Sequence, residues 1–369
     1  MPVEKLTTIY SQHTIYLQRL GATEGIKVIP YLESIENDVV AILNKYRKRK
    51  VTIALQMDIQ KQIGEATRKH LQDYTSQLKV ENRALGAYEG EFAASTLNGI
   101  VEADDFKATV PSAAAVNSVA TITPIKLSAN SYTSYSSMMK NYWGKWSDEI
   151  HGVVQAGFLE GSTIPEITNA ITAQMDLSKS GTTKSVLDRA RRSAKQLAIT
   201  GTNHYANTAR IAFVDQNDDI LKGYRFLAVN DSRTSRTCAR LDQTTYSKDD
   251  PKLSSVTPPL HPNCRSALTF DVDDRFKLDT GDTKKASSFN VDGKRDPKPI
   301  DSDSIYYENL KKLSARDQDA AIGPTLGKAL RQMDAKKFAK MTGDSMNNPL
   351  TIKQMKEKNN ELGRILRSQ

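Results

Sequence analysis

The apolar residues of this chain recur mainly at helical spacing. In the stretch 29–43 these positions are Leu32, Ile35, Val39, Ile42 and Leu43. Long amphipathic stretches continue through 51–97, so the N-terminal region 1–125 is predicted to be helical. Between Val101 and Pro124, by contrast, Ala, Ser, Thr and Val follow one another without periodicity. We expect a loop or an extended arm there, with a domain boundary at its end.

Helical patterns resume after this boundary. Residues 132–158 predict one amphipathic helix, broken near Gly144, whose aromatic residues belong to the core. Thr163 is followed three residues later by Glu166, with a proline between them, which is typical of a helix start. We expect that helix to run to about residue 175.

The second half of the chain mixes helices and strands. Two short segments rich in β-branched and aromatic residues, 223–229 and 267–272, predict strands. The sequence as a whole therefore predicts an α+β, predominantly helical protein. After the long helical N-terminal part come a small mixed α/β module with Cys and His within 126–278, a polar linker over 279–304 and a helical C-terminal tail over 305–369.

Composition and charge narrow the class of protein. Charged residues make up 26% and hydrophobic residues 38% of the chain, which is typical of a folded, water-soluble protein. The N-terminal residues lack the pattern of a secretory signal and no stretch approaches about 18 apolar residues, so we expect no membrane partner. The net charge is +9, and residues 305–369 carry 13 Lys and Arg against 7 Asp and Glu. This C-terminal excess favours an acidic partner such as nucleic acid.

Both cysteines of the chain lie near one of its five histidines. His261 and Cys264 have the spacing of half a zinc site, and Cys238 precedes them by about two dozen residues. If the segment after Cys238 forms a helical turn, Asp242 lies on the same face as that cysteine. We therefore predict one structural zinc ion bound by Cys238, His261 and Cys264, with Asp242 as the candidate fourth ligand. Two alternatives stay open: buried thiols beside a hydrogen-bonded histidine, and a Cys238–Cys264 disulfide.

Other polar residues have simpler interpretations. Asp231 and Arg233 are predicted to form a local ion pair or a side-chain cap. His204 is interpreted as a packing residue, although Asn203, Asn207 and Arg210 lie near it on a helical projection. An apolar stripe from residue 187 onward is interleaved with basic residues, which form either a solvated helix face or a surface that binds DNA phosphates. These basic residues are Arg189, Arg191, Arg192 and Lys195.

Familiar enzyme motifs are absent from the sequence. It contains no GxxxxGK[ST] phosphate loop, no HExxH and no GxSxG. A metal-assisted enzyme with an unfamiliar arrangement of ligands is the remaining catalytic alternative.

The order of the motifs resembles a known family. TGTNHYANTAR, then GYRFLAVNDSRTSRTCARLDQTTY and PPLHPNCRS, are similar to the phage Mu protein F-like head morphogenesis family through residues 187–274. The matching positions are Asp231, Arg233, Thr234, Cys238, Asp242, Pro258, Pro259, His261, Pro262, Cys264 and Arg265. Two positions depart from the family pattern, which usually has Gly at position 243 and often Cys at position 266. This chain has Gln243 and Ser266, and Ser266 removes one potential zinc ligand.

The resemblance implies a minor structural protein of a tailed phage head rather than an enzyme. It implies association with the portal protein or the major capsid protein, nonspecific contact with phage double-stranded DNA, and a role in head morphogenesis and in DNA packaging or ejection. The expected location is the virion, near the portal vertex, after assembly in the host cytoplasm. The alternative is a metal-dependent nuclease or toxin-type enzyme built on the Cys and His module.

Overall fold

A computed structural model gives the fold of most of the chain. The residues it describes are 2–46, 52–101, 106–128, 130–172, 186–273, 276, 283–285, 299–301, 304–345 and 347–368. Most of the predicted linker, 279–304, lies outside these residues. Within the described part, no helix combines the length and the apolar character needed to cross a membrane.

The described chain is mainly helical, as the sequence predicts. The helices are α1 (Pro2–Ile26), α2 (Ile29–Lys45), α3 (Ile53–Asn98), α4 (Ala113–Ile122), α5 (Tyr135–Leu159), α6 (Ile164–Thr172), α7 (Val186–Gln216), α8 (Arg236–Leu241), α9 (Leu253–Val256), α10 (Tyr306–Lys311), α11 (Ala315–Ile322), α12 (Pro324–Arg331), α13 (Ala335–Met341), α14 (Ile352–Glu357) and α15 (Glu361–Arg367). The strands are β1 (Ile125–Ser128), β2 (Ser131–Thr133), β3 (Leu221–Leu227), β4 (Thr245–Ser247), β5 (Ala267–Val272), β6 (Thr283–Lys285) and β7 (Pro299–Asp301).

Local signals place several of these elements correctly. The start of α6 is a capping box, in which the backbone N–H of Thr163 donates to Glu166 Oε2 at 2.6 Å and the Glu166 N–H donates back to the threonine hydroxyl. These hydrogen bonds hold the pKa of Glu166 below its usual value. The expected break in α5 is wrong: the helix runs unbroken through Gly144, where the space beside the backbone is open.

The predicted loop between Val101 and Pro124 is also wrong in part, because α4 occupies 113–122. The Ser112 hydroxyl caps this helix by accepting a hydrogen bond from the third helical N–H. Its apolar face buries Val116 against Ala209 and Ala212 of α7. Small residues and a cap are sufficient for a helix that packs on a neighbour, even where the sequence has no obvious periodicity.

Strands β4, β3 and β5 form one antiparallel sheet in that order. Tyr224 of β3 pairs with Tyr246 on one side and with Phe270 of β5 on the other. Both predicted strands are thus confirmed. The β3–β5 pairing brings the segment that follows β3 close to the segment that precedes β5, and these two segments contain the Cys and His residues.

The chain folds into two compact units, each built from separated segments. The first comprises Met1–Gln18, Ala84–Thr133 and Asn203–Gln369; the second comprises Arg19–Arg83 and Ser134–Thr202. The first unit contains the sheet, with an apolar core that includes Phe213, Tyr224 and Phe270, and a second core formed by the C-terminal helices α10–α15. The second unit buries one face each of α2, α5 and α6.

Candidate metal centre

Helix α8 positions Cys238. The Ser235 hydroxyl caps this helix, accepting a hydrogen bond from the Cys238 N–H at 3.2 Å. Cys238 therefore lies in the first turn, and its side chain points into the core of the first unit, where only 2% of the residue is exposed.

A tight turn before β5 positions the other two side chains. The Cys264 N–H donates to the His261 carbonyl at 3.1 Å, and Asn263 adopts a left-handed conformation between them, with φ of 59°. Asparagine is one of the residues that tolerate this region. Gln18 of α1 donates to the Cys264 carbonyl at 3.1 Å, which fastens the turn to the same unit.

The two segments bring Cys238, His261 and Cys264 together. Their ligand atoms all lie within 4.8 Å of one another. The two Sγ atoms are 3.7 Å apart, and Cys238 Sγ is 3.4 Å from His261 Nε2. Ligands of a tetrahedral zinc ion, with metal distances of about 2.3 Å to sulphur and about 2.1 Å to nitrogen, lie roughly 3.8 Å (S–S) and roughly 3.6 Å (S–N) apart. The residues present therefore fit a zinc ion closely.

The second ring nitrogen of His261 supports the same arrangement. His261 Nδ1 lies 3.0 Å from the Pro262 carbonyl oxygen, to which it donates when protonated. This bond leaves Nε2, on the cysteine side, as the atom available to a metal. The two cysteines are free thiols in this structure rather than a disulfide.

The three side chains also shift each other's pKa values. Burial alone would raise the pKa of Cys264, but hydrogen bonds from Cys238 and His261 outweigh it and hold that pKa well below its usual value. The hydrogen bond with Cys264, together with burial, raises the pKa of Cys238. Burial lowers the pKa of His261, but the neighbouring Cys264 thiolate outweighs this and raises it to about 8. The cluster thus stabilises one thiolate, the form of cysteine that binds metals.

Asp242, the candidate fourth ligand, is not part of this cluster. Helix α8 ends at Leu241, and the backbone of Asp242 leaves the helical turn with ψ of 130°. Its buried carboxylate accepts a hydrogen bond from the Ala228 N–H at 2.9 Å and a longer one from Asn230. The expected helical spacing between Cys238 and Asp242 fails because the helix is one residue too short.

Asp231 joins the two halves of the motif. It accepts two hydrogen bonds from the Arg265 guanidinium, Nη1 to Oδ2 and Nη2 to Oδ1, both of 2.6 Å. Burial raises the pKa of Asp231, but the hydrogen bonds and charge of Arg265 outweigh it and lower the pKa overall. The predicted partner, Arg233, makes a weaker contact: its backbone N–H donates to Asp231 at 3.0 Å, while its guanidinium lies 3.4 Å away and is largely exposed.

The remaining motif residues shape the same region. Thr234 donates from its hydroxyl to the Val229 carbonyl, closing the turn that follows β3. Pro259 is buried, and Pro262 supplies the carbonyl that orients the histidine ring. Tyr306 of α10 donates to the Asp231 carbonyl at 3.2 Å, so the turn also anchors the C-terminal helices.

A buried polar network underlies the TGTNHYANTAR segment of α7. Arg210 and Glu89 of α3 are fully buried and form an ion pair of 3.0 Å. Asn207 accepts a hydrogen bond from the Leu268 N–H of β5, and Asn203 donates to the Ser266 carbonyl. The role of Glu89 has no local signal in the sequence, because its partner lies 121 residues away.

His204 is a packing residue, as the sequence analysis proposes. Its Nε2 lies 2.8 Å from the Ala120 carbonyl of α4, and burial lowers its pKa to about 4. The neutral imidazole therefore bridges two helices of the first unit.

The four basic residues proposed to contact DNA lie on the N-terminal half of α7, in the second unit. Arg191 and Arg192 both pair with Asp188, and Arg189 pairs with Glu149 at 2.8 Å. Lys195 is exposed. The carboxylates partly neutralise this face, which makes it less suited to phosphate than the sequence alone indicates.

Comparison with known proteins agrees with the motif. Residues 148–269 match the model of the family described as Phage Mu protein F like protein. Searches of curated proteins and of solved structures find no match to this chain. The matched region, about a third of the chain, runs from within α5 to β5 and contains Cys238, His261, Cys264, Asp231 and Arg265. Over these residues the chain matches the Phage Mu protein F like family, as its sequence motifs predict.

Proposed function

We propose that this chain is a head morphogenesis protein of a tailed bacteriophage, present in the virion as a minor structural component near the portal. The single observation that carries the proposal is the family match over 148–269, which includes β3, α8 and the start of β5, the elements that the motif residues hold together. In this proposal the protein contacts the portal protein or the major capsid protein and assists DNA packaging or ejection.

We further propose that one structural zinc ion binds Cys238, Cys264 and Nε2 of His261. The sulphur and nitrogen spacing supports this, as does the hydrogen bond that orients the imidazole. Both cysteines are buried, which favours a stabilising rather than a catalytic site. Since Asp242 is engaged elsewhere, solvent or a nearby hydroxyl would complete the coordination. The ion would tie α8 to the turn before β5.

For contact with DNA, the C-terminal helices are better suited than α7. All but one of the thirteen basic residues of 305–369 are exposed. Lys336 and Lys337, for example, have exposed side chains, and their ion pairs with Glu308 and Glu361, at 3.7 and 3.5 Å, are longer than the 2.5–2.9 Å pairs of α7. Phosphate recognition of this kind is independent of sequence and weakens steeply with salt.

The partner proposal is tested by sedimentation. The purified full chain is mixed with purified portal oligomers or DNA-free heads and centrifuged through a density gradient. We expect it to co-sediment with one of them in 0.15 M salt, a condition that screens weak surface attraction. If the chain sediments separately from the portal oligomers and also from the heads, the proposal is contradicted.

The DNA proposal needs a separate test. Retention of the chain on double-stranded DNA is measured across a salt series for the wild type, for Lys336→Gln with Lys337→Gln, and for Arg191→Gln with Arg192→Gln. We expect the C-terminal pair to lower the slope of log affinity against log salt by up to about 2 and the α7 pair to change it little. If the α7 pair lowers the slope more than the C-terminal pair does, the DNA contact is assigned to α7. Cleavage of the DNA that depends on an added divalent metal would instead support the nuclease alternative.

A further inference from the structure

Lys126 is a buried lysine that faces an amide. It lies in β1 opposite Tyr132 of β2, and only 4% of the residue is exposed. Its Nζ donates to Asn348 Oδ1 at 2.7 Å and lies 5.9 Å from the centroid of the Tyr132 ring. Asn348 is itself 6% exposed. Burying an ammonium group against an amide is costly, which favours the uncharged amine.

The amide is held rigidly by a turn in the C-terminal helical region. Asp344 Oδ1 accepts from the Asn348 backbone N–H at 2.7 Å, and Asp344 Oδ2 accepts from the side-chain Nδ2 at 3.1 Å. Asn347 between them has φ of 60°, and Arg240 of α8 donates to its carbonyl at 3.1 Å. The lysine nitrogen therefore lies on the oxygen side of the amide, and a carboxylate lies beside the amide nitrogen.

The surroundings favour the neutral, nucleophilic form of the lysine. Burial lowers the pKa of Lys126, and the positive charge of Arg240 lowers it further, while Asp344 opposes both. An amine whose pKa is lowered by burial, in contact with a fixed carbonyl group and with a carboxylate next to the leaving nitrogen, has the parts needed for acyl transfer.

We propose that Lys126 and Asn348 join in an intramolecular isopeptide bond. The Lys126 Nζ lone pair forms a new bond to Asn348 Cγ, and the bond from Cγ to Nδ2 breaks. One proton moves from Nζ to Nδ2, which is hydrogen-bonded to Asp344 Oδ2 and leaves as ammonia. The products are one secondary amide and one ammonia, with no oxidant or other reactant. The bond would fasten β1 covalently to the C-terminal helices across 222 positions of the chain.

The test is mass spectrometry of the full chain after prolonged incubation at neutral pH. We expect the intact mass to lie below the sequence mass by one ammonia, and protease digestion to release a branched peptide containing both Lys126 and Asn348. A chain of unchanged mass without the branched peptide overturns the proposal. A succinimide at Asn98–Gly99 also loses ammonia, so the branched peptide is the decisive signal.

Matched variants separate the two sources of ammonia. Lys126→Arg keeps a long basic side chain but lacks the nucleophilic amine, so it should form no branched peptide, whereas Lys140→Arg, at an exposed lysine, should behave as wild type. Asp344→Asn should slow the reaction roughly a hundredfold, since it removes the carboxylate that positions the leaving nitrogen. An ammonia loss that persists in Lys126→Arg, with no branched peptide in the wild type, would assign the loss to the succinimide and refute the isopeptide bond.

Discussion

Replacing Asp231 by alanine should destabilise the first unit by about 3 to 5 kcal/mol, because it leaves the Arg265 guanidinium partly buried without its partner. Two hydrogen bonds of 2.6 Å are lost, each contributing about 1.5 to 3 kcal/mol when charge-assisted. The Arg265 side chain is only 18% exposed, so water replaces them poorly. Arg233→Ala is the matched control: that side chain is 64% exposed, and its removal should cost below about 1 kcal/mol.

The assay must report on the unit that contains the pair. Both tryptophans of the chain, Trp143 and Trp146, belong to the second unit, so intrinsic fluorescence would follow the wrong part. Hydrogen exchange of the β3 and β5 peptides, measured across a urea series, reports on the sheet. If Arg233→Ala and Arg265→Ala destabilised the sheet equally, the assignment of Arg265 as the principal partner would be refuted.

Three further predictions concern the metal, pH and backbone strain. Elemental analysis of the wild type should find about one zinc ion per chain. The zinc should be lost in Cys264→Ser, kept in Asp242→Asn and bound more tightly in Ser266→Cys. A wild-type protein that contains no metal and is as stable as after zinc is added would contradict the site. Because the pKa of His204 falls from 6.5 in the unfolded chain to about 4 in the fold, stability should decrease by up to about 3 kcal/mol as pH drops through that range. His204→Gln should flatten this part of the pH–stability curve. An unchanged curve would refute the attribution of this loss of stability to His204. Gln243 has φ of 64°, so Gln243→Gly should raise the unfolding free energy by up to about 1 kcal/mol, while Gln243→Ala, which keeps the strain, should not.

Local features were predictable from the sequence where the physics is local. The capping box of Thr163 and Glu166 and the β-rich segments around Tyr224 and Phe270 depend on neighbours within a few residues, so pattern is sufficient. The grouping of both cysteines with His261 was also predictable, since those residue types are rare in the chain and share a short region.

Side-chain contacts that depend on the tertiary structure were not predictable in this way. Proximity along the chain favours Arg233 as the partner of Asp231, but the β3–β5 pairing places Arg265, 34 residues away, in the better position. The same limit applies to Asp242. Its spacing from Cys238 predicts a shared helical face only if the helix continues, and the end of α8 is decided by the hydrogen bond from Ala228.

The two departures from the family pattern have separate physical meanings. Position 243 lies in the left-handed region, which explains why glycine is usual there: Gln243 keeps the fold at the cost of backbone strain. Position 266 lies beside the cluster of Cys238, His261 and Cys264, since the Ser266 hydroxyl hydrogen-bonds to Cys238. A cysteine there would add a third sulphur to the cluster, whereas serine leaves the two cysteines and one histidine. The first departure therefore acts on stability through the backbone. The second would change the affinity of the proposed zinc site without altering the ion pair of Asp231 and Arg265.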